Sequence, residues 1–135
     1  MGLAERRIVK NFETNVLPGL KQQIDEAAGF DVPIEVKWDT LTKDDAYSGS
    51  WTESWPTLYF QPVIIAFKNI CIDDMGKEAL VSHLKKVIIQ DVRDVYGAEW
   101  VTFEDGALTL DHRFCNVDDV DTRVQSLQTT LEKAL

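Results

Sequence analysis

The sequence predicts an α+β fold, in which an antiparallel sheet of four to five strands carries three helices in the order α-β-β(-β)-α-β-β-α. Three observations predict this fold. An i, i+4 apolar stripe near the start indicates a helix, and alternating apolar residues near position 34 indicate a strand. Asp105-Gly106 between two short apolar segments indicates a β-hairpin. The chain of 135 residues fits a single domain, 1–135.

The first helix is predicted over Ala4–Ala28. Its apolar stripe occupies every fourth position and consists of Ile8, Phe12, Val16, Leu20, Ile24 and Ala28. Pro18 predicts a kink, because an interior proline removes one hydrogen bond and clashes with the preceding turn. Gly29 supplies the left-handed residue that commonly ends helices. A strand follows over Val32–Trp38, where apolar and polar residues alternate.

The middle of the chain is predicted to be a long connection followed by a buried strand. Asp39–Pro56 is polar and lacks a clear period, and loops of this length in compact domains usually have a function or are disordered. The apolar run Thr57–Ile72 predicts either one strand with a bulge at Pro62 or two strands divided there, because proline cannot donate a ladder hydrogen bond.

A second helix is predicted from about Met75 to Tyr96, with Asp73 or Asp74 as its N-cap and Gly97 at its end. Capping explains this acidic pair better than metal binding does, because a divalent cation needs several more oxygen ligands. The helix has apolar residues on more than one face and is expected to be the most buried of the three.

The last third is predicted to be a hairpin and a helix. Trp100–Glu104 and Ala107–His112 are the two strands of the hairpin. The helix is predicted over Val117–Ala134, with Asn116 as its N-cap and Asp119 in its first turn. Its apolar residues follow 3-4-3-4-3 spacing, which favours packing on the sheet and, secondly, pairing with a second copy.

The charge of the chain restricts its partners. A formal net charge of −9 arises from 23 acidic and 14 basic residues, and Glu99–Asp121 holds seven acids against Arg113 alone. Nucleic acids and anionic membranes are not expected as partners, because the negative field would repel them and their binding depends on lysine and arginine neutralising phosphates. A basic protein is the complementary partner, although a general contribution to solubility also explains such a surface.

The expected setting is the cytoplasm. No apolar stretch approaches the roughly 18 residues of a membrane-spanning helix. The first residues carry charges and lack the apolar segment of a secretory signal. Two cysteines, Cys71 and Cys115, do not make a disulfide framework and are expected to be free thiols.

Weak catalytic candidates lie at the end of the predicted hairpin. Asp111 and His112 end a strand close to Cys115, so a cysteine–histidine pair is one hypothesis. No family signature of such enzymes is present, and a catalytic site is therefore not assigned. No metal site or cofactor is predicted, since neither a Cys-x-x-Cys motif nor paired histidines occur.

The best candidate for a partner-binding site is the aromatic series that leads out of the long connection. Tyr47, Trp51, Trp55 and Tyr59 are spaced four apart among the acidic residues Asp44, Asp45 and Glu53. Aromatic residues dominate interface hot spots, and the acids would select a cationic partner. The alternative is that the tryptophans fold back as a small core over the sheet, and the sequence leaves both interpretations open.

The predicted element order and the acidity resemble those of type III secretion chaperones, which are small acidic dimers that bind another protein. Colicin-type immunity proteins are similar in charge. The leading hypothesis is a non-catalytic cytoplasmic protein-binding module for a basic partner, homodimeric through its last helix or a sheet edge. The alternative hypothesis is a small-molecule-binding protein or small enzyme with a pocket near His112, Cys115 and the 39–56 loop.

Overall fold

The computed structural model describes residues 1–135. In chain order its elements are α1 (Leu3–Asn15), α2 (Leu17–Ala28), β1 (Ile34–Val36), α3 (Trp38–Leu41), a 3-10 helix (Asp45–Ser50), α4 (Trp51–Trp55), a π-helical turn (Pro56–Phe60), α5 (Gln61–Ile70), α6 (Asp74–His83), β2 (Lys86–Gln90), a 3-10 turn (Gly97–Trp100), β3 (Val101–Glu104), β4 (Ala107–Asp111) and α7 (Val120–Ala134). The residues from Trp51 to Ile70 form one continuous helix, which we call the central helix. Counted in this way, the chain has six α-helices and four strands. The α+β class and the number of strands are confirmed, whereas the prediction of three helices is wrong.

The four strands form one mixed sheet in the order β1-β2-β4-β3. β1 is parallel to β2, β2 is parallel to β4, and only β3 and β4 are antiparallel. The prediction of an antiparallel sheet is therefore wrong. Parallel neighbours need a long crossover connection, and the helical residues between β1 and β2 provide one.

The sheet has one buried face and one face open to solvent. On the buried face, Val87 and Ile89 of β2 and Leu108 and Leu110 of β4 are at most 1% exposed. On the open face, Glu35, Ile88, Thr109 and Thr102 lie opposite one another in register, and none of them is buried. The helices therefore pack on one side, which gives a two-layer domain architecture.

The central helix replaces the strand predicted over Thr57–Ile72. Most of its buried residues recur at a spacing of three or four, as in a helix. The buried residues are Trp51, Trp55, Leu58, Tyr59, Phe60, Pro62, Val63, Ile64, Ala66, Phe67 and Ile70. Pro62 is accommodated by the π-helical turn before it, in which the Gln61 amide donates to the Pro56 carbonyl. A widened turn relieves the clash that a proline ring makes with the preceding turn of an α-helix.

The helix predicted over Met75–Tyr96 is also wrong in its second half. α6 ends at His83, and the chain continues as strand β2. β2 contains the run Val87-Ile88-Ile89, whose β-branched side chains favour a pleated strand over a helix. The Asp73 cap is confirmed, because its side chain accepts a hydrogen bond of 2.9 Å from the Gly76 amide.

The ends of the chain are closer to expectation. The first helical segment is present but is divided at Val16 into α1 and α2, with Pro18 in the first turn of α2, where proline is tolerated. Asp105 and Gly106 both have positive φ, as a type I′ hairpin turn requires. The Asn116 cap is wrong: α7 begins after Asp119, and neither residue caps it through a side chain.

One cluster of 28 buried apolar residues forms the core. At its centre, Phe12 of α1 contacts the rings of Trp38, Trp55 and Phe60, with centroid distances of 5.2 to 6.0 Å. No helix is both long and apolar enough to cross a membrane. Because the observed element order differs from the predicted one, the resemblance to type III secretion chaperones in element order is lost, and only the acidity remains.

Candidate functional site

The three parallel strands end at the same edge of the sheet, at Val36, Gln90 and Asp111. Ligands of open sheets commonly bind beyond the carboxyl ends of parallel strands. Three segments lie at this edge, residues 42–50, 91–96 and 112–119, and we call their outer side the three-loop surface.

The three segments are joined to one another by direct contacts. These contacts are a hydrogen bond of 2.8 Å from Lys43 Nζ to the Asp91 carbonyl, a ring stack of Tyr47 on Phe114 at 5.2 Å, and a hydrogen bond of 2.9 Å from the Arg113 amide to the Val95 carbonyl. Each segment therefore contacts both of the others. The three-loop surface is a single structure and not three independent loops.

Asp111 supports this edge from the inside. Its buried carboxylate accepts hydrogen bonds from the Val92 and Arg93 amides at 3.0 and 3.2 Å, and from the Gln90 and Arg93 side chains at 3.0 and 3.1 Å. Burial alone would raise the pKa of Asp111, but these hydrogen bonds outweigh it and the pKa is lowered. A carboxylate with all its acceptor sites engaged orients the turn after β2 and is not a free general base.

Asp91 is the second buried carboxylate of the edge. Burial raises its pKa, and Lys43 opposes that rise. Lys43 Nζ lies 3.3 Å from Asp91 Oδ1, within ion-pair distance, yet this oxygen accepts no hydrogen bond of acceptable geometry. The half-exposed Lys43 amine and the buried Asp91 carboxylate therefore form an ion pair without a hydrogen bond between these two atoms, which is weaker than a hydrogen-bonded ion pair.

His112 is fully buried, and its backbone and ring are both engaged. Tyr59 donates a hydrogen bond of 2.7 Å to the His112 carbonyl, and the ring lies edge-on to Trp100 at 5.8 Å. Nδ1 lies 2.6 Å from the Arg113 carbonyl, so Nδ1 is the protonated nitrogen, whereas Nε2 has no partner. Burial lowers the pKa of His112. The imidazole is therefore held neutral.

Arg123 of α7 is a buried cation that the sequence analysis did not identify. Its guanidinium donates to the carbonyl oxygens of Asn116 and Val117 and, at 3.5 Å, to that of Thr57, while Nε has no partner. No carboxylate pairs with it, and burial lowers the pKa of the guanidinium. Its position gave a signal, because Arg123 lies four residues before Leu127 on the buried stripe of α7.

Cys115 does not form a nucleophilic pair with His112. The Cys115 thiol is half-buried and makes no side-chain hydrogen bond, and burial raises its pKa. A reactive cysteine needs a lowered pKa, because the thiolate is the nucleophile. Asp111, His112 and Cys115 are close in sequence, but no hydrogen bond joins the Cys115 thiol to the His112 ring or that ring to the Asp111 carboxylate. They do not form a catalytic relay.

The aromatic series predicted as a partner site divides into a buried part and an exposed part. Trp51, Trp55 and Tyr59 are each 1% exposed, and the two tryptophans stack at 5.5 Å. Burial favours the core interpretation for these three residues, which no partner reaches in this conformation. Tyr47 is 48% exposed, and the acidic residues Asp44, Asp45 and Glu53 are also exposed.

No group of three or more histidine, cysteine or acidic side chains is arranged to hold a metal ion. Five surface clefts of about 260 to 570 Å³ have no residue of the three-loop surface in their lining. Comparison with known proteins gives no match to any family model, curated protein or solved structure. The site's geometry is therefore the basis for a functional proposal.

Proposed function

We propose that the chain is a non-catalytic cytoplasmic protein-binding module whose three-loop surface recognises a basic protein. The observation that carries the proposal is a set of three apolar or aromatic side chains exposed on joined loops: Tyr47 at 48%, Val92 at 53% and Tyr96 at 56%. Tyrosine gives large contact area at low entropic cost, and exposed apolar groups on a fixed surface are typical of interaction sites.

The charges around these side chains support a basic partner. Six acids and three bases occur in residues 42–50, 91–96 and 112–119. Each base is already paired inside the protein: Lys43 with Asp91, Arg93 with Asp111 and Arg113 with Asp94. The acids without an ion pair are Asp44, Asp45, Asp118 and Asp119, and all four are exposed. A cationic surface would complement them.

The buried polar groups support binding and not catalysis. The Asp111 carboxylate is fully hydrogen-bonded, the pKa of the Cys115 thiol is raised, and the His112 ring is buried. These groups brace the loops from behind. The free thiols of Cys71 and Cys115 support the reducing setting expected from the sequence.

The experiment is capture of proteins from a native lysate by immobilised protein. Wild type is compared with a Tyr47→Ser/Tyr96→Ser double variant and with Val81→Ser, a control on α6 that is exposed to a similar degree, 51%. The double variant should retain a captured basic protein about tenfold less well, and Val81→Ser should retain it as wild type does. Equal retention by all three baits would contradict the proposal.

The predicted homodimer stays a prediction. Leu127 and Leu131 of the predicted α7 seam are fully buried within one chain, and α7 packs against α5. A dimer through this helix would therefore have to use its outer, largely polar side. The remaining routes are the two sheet edges, at β1 and β3, which have only three and four residues. Light scattering across a concentration series tests the prediction.

A small-molecule site is the second candidate. All three buried side-chain polar atoms without a partner belong to Asp91, His112 and Arg123, around this same edge. A small polar ligand that donates to His112 Nε2 would satisfy this buried acceptor. Ligand-induced stabilisation of wild type but not of His112→Phe in a thermal-shift screen would support this candidate. An equal shift in both proteins would exclude it.

A further inference from the structure

The turn between α5 and α6 is fixed by a side-chain cap and by a close backbone contact. Asp73 caps α6 through the Gly76 amide, at 2.9 Å. A side chain at Gly76 would overlap the Ile70 carbonyl oxygen, so α6 starts in direct contact with the end of α5. The close approach requires glycine. Neither of these contacts involves the side chain of Ile72 or Met75.

Two large apolar side chains project from this turn into solvent. Ile72 is 82% exposed and Met75 is 80% exposed, whereas the other exposed large apolar residues of the chain reach at most 56%. Neither side chain stabilises the fold by burial. A fixed turn that displays two apolar groups is already organised for binding, because little backbone conformational entropy is lost when a partner covers them.

A cleft of about 320 Å³ adjoins these two side chains. It lies between the end of α5, the start of α6 and the end of α7, and its lining includes Ile70, Ala79 and Leu135. The ion-forming side chains in the lining are the acids Asp73 and Glu132. The nearby lysines Lys68 and Lys77 line a different cleft, beside Cys71. Apolar contact and negative charge thus occur together in this cleft, without a basic side chain.

We infer that this turn and its cleft, which we call the Ile72–Met75 surface, form a second docking site, for a short amphipathic helix of a protein partner with lysine or arginine beside its apolar face. The negative lining selects the cationic flank, and a cleft between helices suits an incoming helix better than a strand, since no free strand edge lines it. The central helix separates the two surfaces: Tyr59 contacts the three-loop edge, and Ile70 lies about 16 Å further along its axis. This site does not depend on the proposed function.

The experiment uses fluorescence anisotropy of a labelled leucine–lysine peptide with helical spacing, and a matched peptide with glutamate in place of lysine. Wild type should bind the lysine peptide and not the glutamate peptide, and Ile72→Ser/Met75→Ser should bind the lysine peptide at least about tenfold less tightly. The control Val81→Ser should bind as wild type does. Because both replaced residues are exposed, the double variant should retain the melting temperature of wild type.

Three results would overturn the inference. The first is equal affinity of wild type and the double variant for the lysine peptide, which would show that the net charge alone attracts it. The second is equal binding of both peptides. The third is a wild-type protein that is dimeric in light scattering and does not bind the peptide, together with a double variant that is monomeric. This result would mean that a second copy of the chain occupies the Ile72–Met75 surface.

Discussion

Replacement of Trp55 by alanine should destabilise the protein strongly. The side chain is 1% exposed and contacts three other rings, those of Phe12 at 5.2 Å, Trp38 at 5.1 Å and Trp51 at 5.5 Å. Truncation of a buried tryptophan removes the transfer free energy and leaves a cavity, which together cost about 3–5 kcal/mol. For a domain of this size, that cost lowers the melting temperature by about 10–20 °C. Urea unfolding followed by circular dichroism measures the free energy directly.

The control is Tyr47→Ala at the exposed end of the same aromatic series. Tyr47 is 48% exposed and stacks on one ring, that of Phe114, so its loss should cost less than about 1 kcal/mol. The reasoning would be refuted if Trp55→Ala lost less than about 1 kcal/mol and also lost partner capture. That pair of results would mean that Trp55 is a surface residue.

Three further changes test the inside of the structure. Tyr59→Phe leaves the buried His112 carbonyl without its donor at 2.7 Å and should cost about 1–2 kcal/mol in urea unfolding; no cost would argue against this hydrogen bond. The pKa of Asp111 is lower in the folded protein than its ordinary value of 3.8, so the carboxylate stabilises the fold at pH values above 3.8 and loses this effect as the pH falls through the folded pKa. The difference in unfolding free energy between wild type and Asp111→Asn should therefore shrink below about pH 4. A difference that stays constant with pH would contradict the lowered pKa. Gly76→Ala must move the Ile70 carbonyl and should cost about 1–3 kcal/mol by thermal melting, whereas an unchanged melting temperature would contradict the close approach.

Local signals in the sequence predicted the parts of the fold that local physics controls. The Asp105-Gly106 turn needs two positive φ angles and the Asp73 cap needs one side-chain acceptor, so both are determined by a few adjacent residues. The central helix was missed because most of its residues are apolar, which hides the helical period, and because Pro62 indicated a bulged strand. Its π-helical turn, which accommodates the proline, has no local sequence signal.

The direction of the strands could not be predicted either. Strand β2 lies in the second half of the predicted helix. The helix prediction extends too far because the four-residue spacing of Leu80 and Leu84 continues into the apolar, β-branched run of β2. Without β2, the sheet has no strand to pair in parallel with β1 and β4. The sequence therefore does not predict the edge of the sheet where the parallel strands end, at which the three-loop surface lies.

The aromatic series proposed as a partner site stays a prediction, and the structure shows only which of its residues are exposed. Asp44, Asp45 and Tyr47 are exposed as expected, whereas Trp51 and Trp55 are buried because the residues around them continue into the central helix. The sequence pattern predicts a helix over Val92 and Tyr96, so it does not indicate that these are loop residues.

Site-specific photo-crosslinking tests the central claim most directly. Tyr47, Tyr96 and, as the control, Val81 are each replaced by benzoylphenylalanine, and the three proteins are irradiated in a native lysate. If the three-loop surface binds a partner, Tyr47→benzoylphenylalanine and Tyr96→benzoylphenylalanine should yield the same discrete crosslinked species, a basic protein, and the control should not. No common species at the two positions, or the same species from all three proteins, would contradict the claim.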